Sequence, residues 1–323
     1  MPMRQERFRH GRGACRCVLG FLATTSGVRF AVILYPRALC PKMNGTGRRR
    51  AFSFKEDKMI IVGELINASR KAITEAIRNR DVEAVQAVAR QEHEAGANYI
   101  DVNAGIFLEG EEDYMRWLVR TVQAVVEGPC SIDTPNPKAI EAGLSVHQGT
   151  PMINSISLES DRYNRMIPLL AGTDCRIVAL CMSDQGMPKT AEDRLRVADK
   201  LINGLVQNRI PLENIYVDPL VQPISVDRTF GIEFLKAIAL IKEKFIGVHT
   251  MCGLSNVSYG LPGRPLVNQT FMSMAVALGL DGAIINPLDK RMMANIIAAE
   301  ALAGRDNFCM NFMKAHRAKK FEF

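Results

Sequence analysis

Along this chain, seven apolar runs are each followed at once by carboxylates, carboxamides or both: Glu64 and Asn67, Asp101 and Asn103, Asp133, Asn154, Asp218, Ser255 and Asn256, and Asn286. Carboxylates accept hydrogen bonds and carboxamides both donate and accept, so a cluster of them offers many contacts to a polar ligand. The set contains no histidine, since His93 lies in a helical pattern, His147 in a loop, and His249 at the start of an apolar run. Zinc or iron would call for imidazoles, and nucleophilic catalysis for Ser or Cys beside His. Two chemistries remain. One is a carboxylate-only magnesium site. The other is a cradle for a flat heterocycle with several N–H donors and ring acceptors, the profile of a pterin. Any single Asp, Asn or Ser here could equally be a turn former or helix cap. Seven at equivalent places are not explained that way.

The elements that would position these residues alternate regularly. Strand candidates are Met59–Leu65, Tyr99–Val102, Cys130–Asp133, Met152–Ser155, Ile177–Met182, Ile215–Asp218, Thr250–Leu254 and Gly282–Asn286. Helical periodicity is read over Val82–Gly96, Tyr114–Val126, Ala191–Leu205, Phe230–Lys242, Phe271–Leu278 and Met292–Ala303. Strands without polar alternation are buried on both faces, as in a parallel sheet covered by helices. Eight such units suit a closed (β/α)8 TIM barrel, typically about 250 residues long, better than an open doubly wound sheet. No G-x-G-x-x-G follows the first strand and no Walker A sequence occurs. Active sites of barrels gather at the C-terminal strand ends, which is where the polar set falls. Strand five is the exception, ending in Met182 and Ser183.

The chain has 323 residues, 47% of them hydrophobic and 23% charged, and a net charge of +7. That balance suits a globular protein with a sizeable core. The charge is unevenly placed: residues 1–58 hold 13 basic and three acidic residues, a net +10, and the remainder is −3. The basic segment lacks a clean signal cleavage site, and its basic and aromatic residues are not interleaved for nucleic-acid stacking. No uncharged run reaches the roughly 18 residues of a membrane span. It is read as a poorly ordered extension translated from an upstream start, with residues 59–323 as the domain proper. Five scattered cysteines in that domain, without a C-x-x-C pair, indicate a reducing compartment, the cytoplasm.

The segments Gly63-Glu-Leu-Ile-Asn67, Asp101-Val-Asn-Ala-Gly105, Ile132-Asp-Thr-Pro-Asn136, Met152-Ile-Asn-Ser155, Tyr216-Val-Asp-Pro-Leu220, Gly253-Leu-Ser-Asn-Val-Ser258 and Gly263-Arg-Pro-Leu-Val-Asn268 occur in that order. The run from about Met59 to about Phe312 resembles the methyltetrahydrofolate–corrinoid protein methyltransferases. These are relatives of the folate domain of cobalamin-dependent methionine synthase and, more distantly, of dihydropteroate synthase. The resemblance implies a dihydropteroate synthase-like barrel, a homodimer, moving a methyl group between N5 of tetrahydrofolate and the cobalt of a corrinoid on a partner protein. Asp133, Asn154 and Asp218 fall at pterin-binding positions, and Asn256 at the position whose side chain reaches N5. Glu64, Asn67, Asp101, Asn103 and Ser255 complete the expected folate-binding set. Arg264 is assigned to the folate tail or the corrinoid, or else is a surface residue at a helix start.

The chemistry agrees with that assignment. A neutral tertiary amine leaves poorly, so methyl departure requires positive charge on N5, and an Asn amide can swing to stabilise it as it develops. Reduced cobalt is then the nucleophile. The sequence lacks D-x-H-x-x-G, so the cobalamin is expected on another protein, and this chain is expected to bind no metal tightly. An open mouth with a flexible loop over Val257–Pro265 is expected, and Tyr259 stands where acetogen-type members commonly carry an amide. The direction of transfer is left open. A dihydropteroate synthase is the alternative, although it would need a basic pocket for its diphosphate leaving group. Neither nucleic acid nor membrane is an expected partner.

Overall fold

The computed structural model describes residues 58–321. The leader expected over residues 1–58 therefore lies, Lys58 apart, outside the described residues. Eight parallel strands close into a barrel in chain order: β1 (Ile60–Gly63), β2 (Tyr99–Val102), β3 (Cys130–Asp133), β4 (Met152–Leu158), β5 (Arg176–Ser183), β6 (Ile215–Asp218), β7 (His249–Gly253) and β8 (Gly282–Ile285). Strand β8 pairs with β1 from Ile60 opposite Gly282 to Gly63 opposite Ile285, which removes any free sheet edge.

Among the described residues ten α-helices surround or close the barrel: α1 (Lys71–Arg78), α2 (Val82–Ala95), α3 (Glu111–Gln123), α4 (Pro137–Leu144), α5 (Ser160–Leu170), α6 (Ala191–Gln207), α7 (Phe230–Lys244), α8 (Arg264–Ala277), α9 (Lys290–Leu302) and α10 (Met310–Arg317). The helices legible in the sequence carry local start and stop signals. Asp81 caps α2 by accepting from Ala84 N at 3.0 Å, and Gly96 ends it in the left-handed region. Thr190 and Asp193 form a capping box on α6.

Helices α1, α4, α5 and α10 are absent from the sequence reading for physical reasons. Three of them have only eight residues, and α5 carries Pro168 inside it. The glycine inside α4, Gly143, is required by packing, because a Cβ there would stand 2.9 Å from Ile132 Cδ1. One expectation is corrected at α8, which begins at Arg264 and not near Phe271, because Pro265 fits a first helical turn. A 3-10 turn spans Leu254–Ser258, so the open loop expected over Val257–Pro265 shrinks to residues 259–263.

Two apolar clusters hold the barrel. The larger lies between strands and helices. The smaller fills the barrel interior with Val62, Tyr99, Met152, Val178, Tyr216 and Met251. The N-terminal end of the barrel is plugged by aromatic and cationic groups. Arg176 lies over the rings of Tyr99 and Tyr216, at 5.6 and 5.9 Å, and Tyr216 stacks on His249 at 4.7 Å. His249 is thus a packed residue remote from the polar strand ends, as its place at a strand start suggested.

Candidate active site

Side chains alternate along a strand, so residues two apart share a face. Two steps on from interior Val62, Tyr99, Met152, Tyr216 and Ile284 stand Glu64, Asp101, Asn154, Asp218 and Asn286. The same step from Val178 reaches Leu180, which is why β5 adds nothing polar. The barrel therefore changes from an apolar interior to a polar mouth within one layer.

Four residues form a connected group on β2, β3 and β4. Asn103 Nδ2 donates to Asp133 Oδ2 at 2.8 Å, while its Oδ1 accepts from Gly105 N at 2.9 Å. Asn154 Nδ2 reaches Asp101 Oδ1 at 3.4 Å, and Asp101 is hydrogen-bonded to Asp133. Burial pushes both carboxyl groups above the usual range, and the charge of Asp133 adds to the shift at Asp101. Register shifts along β4 after Asn154 leave that residue paired with Val178 while the rest of the strand re-registers towards the mouth.

Asp218, at the end of β6, is buried and accepts from Leu220 N at 2.8 Å and from the Gly253 backbone. Burial raises it to about 6. Across from it, the 3-10 turn after β7 carries Ser255 and Asn256, with Asn256 exposed. Its Nδ2 lies over Gly253, 3.9 Å from where a Cβ on that residue would sit. Arg264 holds the turn, donating from Nη2 to Ser255 O at 2.8 Å and from Nε to Ser258 Oγ at 3.0 Å. Arg70 Nη2 meets Glu64 Oε1 at 2.9 Å, yet burial still raises the Glu64 carboxyl against the pull of Arg70 and Arg264.

Two of the polar residues have local roles. Asn67 Oδ1 accepts from Ser69 N, and Asn286 Oδ1 from Leu288 N, each at 2.9 Å. These are turn contacts of the kind Asn commonly makes.

Sequence reasoning missed the residues that hold the mouth from behind. Glu92 of α2 is buried and accepts from Leu65 N at 2.9 Å, with Oε2 unpartnered. Burial raises it to about 7. Glu111 of α3 accepts from Thr134 Oγ1 and, at 2.9 Å, from Asn136 Nδ2. Arg194 of α6 donates to Pro219 O at 2.8 Å and Leu220 O at 3.2 Å. A signal existed for Glu92 and Arg194, charged residues on the buried stripe of a helix read from the sequence, as in Val85–Ala89–Glu92, whereas Glu111 precedes the stretch Tyr114–Val126 read as helical. Arg162 of α5 carried no such signal. Its Nε donates to Ser155 O at 3.2 Å, its charge favours the anion at Asp133, and it lines a cavity of about 390 Å3 with Pro135, Glu159 and Met182.

Among the described residues no three or more His, Cys, Asp or Glu are grouped to hold a metal ion, and no helix is long and apolar enough to cross a membrane. The mouth is instead a set of buried acceptors with amides between them, matched to a neutral ligand rich in N–H groups.

Comparison with known proteins agrees. The family described as pterin binding enzyme matches residues 63–286. A methylcorrinoid:tetrahydrofolate methyltransferase of Eubacterium limosum is 33% identical over 264 residues, covering 81% of this chain and 97% of that protein. Methionine synthase of Mycobacterium leprae is 28% identical over 245 residues, 72% of this chain but only 20% of that longer protein. Dihydropteroate synthases share the fold: the Xanthomonas albilineans enzyme in complex with 7,8-dihydropteroate has a TM-score of 0.59 at 17% identity, over 77% of this chain and 95% of that one. The Yersinia pestis enzyme gives 0.58 at 15%, over 77% and 94%. The chain belongs to the pterin-binding enzymes, in the group that includes the Eubacterium limosum methyltransferase.

Proposed function

We propose that this enzyme moves a methyl group between N5 of tetrahydrofolate and the cobalt of a corrinoid carried by a separate protein. The observation that carries the reading is full-length similarity to a methylcorrinoid:tetrahydrofolate methyltransferase, 97% of which is covered. That similarity also favours methylcorrinoid as donor and tetrahydrofolate as acceptor. Asp133, Asn154 and Asp218 hydrogen-bond the pterin edge, carboxylates taking ring and amino N–H groups and the amide serving either way. Asn256, exposed above Gly253, turns its amide to N5 and stabilises the charge that develops there in the transition state. Glu64, Arg264 and Ser255 frame the opening through which the corrinoid approaches. A dihydropteroate synthase is disfavoured by the carboxylates and amides that make up the strand-end set, where a diphosphate would require cations. Purified protein mixed with tetrahydrofolate and a methylated corrinoid protein is expected to yield 5-methyltetrahydrofolate. Product from pterin diphosphate and p-aminobenzoate instead would overturn the reading.

The proposal extends to a cytoplasmic homodimer. Helices α7 and α8 flank an apolar groove of about 370 Å3, at which Ile232, Leu266 and Met274 are exposed. Exposed apolar surface of this kind marks association sites. The buried cysteines Cys130, Cys175, Cys181 and Cys252 are all free, as a reducing compartment keeps them.

A further inference from the structure

Asp101 is 2% exposed, more deeply buried than the neighbouring strand-end acid Asp133. It lies against Asp133, a half-buried carboxyl on the neighbouring strand, and the two are hydrogen-bonded. Two carboxyl oxygens in hydrogen-bond contact share a proton, because two bare anions at that distance repel. The remaining question is which residue holds it.

Three features of the surroundings decide. The amide of Asn103 has only one orientation, since its Oδ1 is taken by Gly105 N at 2.9 Å. Its Nδ2 therefore donates to Asp133 Oδ2 at 2.8 Å, and that oxygen is an acceptor. On Asp101 the Asn154 amide is a long contact of 3.4 Å, and the Ser131 hydroxyl is a second neutral donor. Charges divide the same way. Asp133 is influenced by the Arg162 guanidinium of α5 and, in the opposite sense, by Glu111 of α3. Asp101 faces the acidic Glu92 of α2 and the thiol of Cys130 on β3, and the charges that act on it most strongly are those of Asp133 and Glu92. Burial and charge place the anion on Asp133, and the 2.8 Å amide contact from Asn103 supports it there.

We propose that Asp101 keeps its proton at neutral pH and donates it to Asp133, acting as a positioning residue that makes Asp133 the single anionic acceptor offered to the substrate. The proton serves two ends. It removes a buried charge at the floor of the mouth, and it holds the Asp133 carboxylate in one rotamer between Asn103 and Asp101. Asp101 itself then touches no substrate atom, unlike the role the sequence assigned to it. The inference rests on the pterin-binding reading only for the identity of the ligand.

Infrared difference spectra and folate titrations of the full-length protein test it. Wild type minus Asp101→Asn is expected to show loss of a protonated carboxyl C=O band at neutral pH; loss of a carboxylate band instead would overturn the proposal. Asp101→Ala is expected to weaken 5-methyltetrahydrofolate binding about 10–100-fold, the range for a hydrogen bond to a charged group. Asp101→Asn should recover most of that loss, since its amide N–H also donates to Asp133. Wild-type affinity is expected to fall at alkaline pH as the shared proton leaves, and Asp101→Asn to lack that limb. An Asn variant as weak as the Ala variant, or one retaining the alkaline limb, would sink the proposal. Should Asp101→Ala not fold, the infrared comparison and the Asn variant's pH profile still decide. A wild-type protein that binds no folate would instead refute the pterin reading, with the infrared arm still reporting on the proton.

Discussion

Asn256 stands exposed at the end of β7 while Asp101 and Asp218 are buried in the same mouth. Under the proposed reaction this separates transition-state stabilisation from binding. Asn256→Ala is expected to slow methyl transfer about 100–1,000-fold, the effect of losing one preorganised polar contact, with little change in folate affinity. Single-turnover kinetics beside equilibrium titration would check it, and unchanged turnover would remove Asn256 from the chemistry. Asp133→Ala is expected to weaken folate binding about 10–100-fold, an outcome read by the same titration. At Asp218 the expected dependence is on pH. Its carboxyl is raised to about 6, so it is an anionic acceptor above that pH and a neutral acid below. Folate affinity should fall as pH drops through about 6, and Asp218→Asn should lack that step. A wild-type affinity flat across this interval would place the pterin elsewhere.

The helices do more for the site than cover the strands. Glu92, Glu111 and Arg194 each project from a buried helical stripe and tie down the segment after β1, β3 or β6. Buried charge is costly unless paired, so such residues cost stability in exchange for a fixed mouth. Glu92 gives the clearest case, because its carboxyl is raised from 4.5 to about 7 by burial. A group whose folded value is raised contributes stability below its unfolded value and loses that contribution as pH rises through the folded one. Glu92→Gln is therefore expected to match wild type in acid and to exceed it at pH above about 7, by up to ~3 kcal/mol. Denaturant unfolding at the two pH values measures this, and a gap that stays constant with pH would show that Glu92 titrates alike in the folded and unfolded chain. The element scale was only partly legible in the sequence. Charged residues on the α2 and α6 stripes could have been noticed by period alone. Arg162 could not, because its importance depends on α5 packing against β4 and bringing the guanidinium charge to bear on Asp133 of β3.

At the scale of the molecule, the proposed homodimer depends on the α7 and α8 faces. Light scattering is expected to give twice the chain mass, and Met274→Asp with Ile232→Asp to give the single mass; a monomeric wild type would refute the proposal. We further propose that residues 59–323 are the catalytic unit, so removal of residues 1–58 is expected to leave methyl transfer intact. Loss of activity on that deletion would assign the leader a role.

What the sequence determined by itself was the order of elements and the chemistry at their ends. Apolar runs separated by amphipathic helices allow little except a parallel barrel, and β2, β3 and β6 were bounded to the residue because polar side chains stop each run abruptly. The identity of the mouth residues followed, since strand order and a side-chain period of two both reside in the sequence. Tertiary structure alone decided which of those residues act together. Asn67 and Asn286 turned to their own backbones, while Asn103 and Asp133, 30 positions apart, came within 2.8 Å. It also decided protonation, because the cost of a charge depends on burial and on neighbours drawn from several elements. Asp101 and Asp133 look alike as letters, and only closure of the barrel makes one fully buried and leaves the other half-buried beside Asn103 and Arg162.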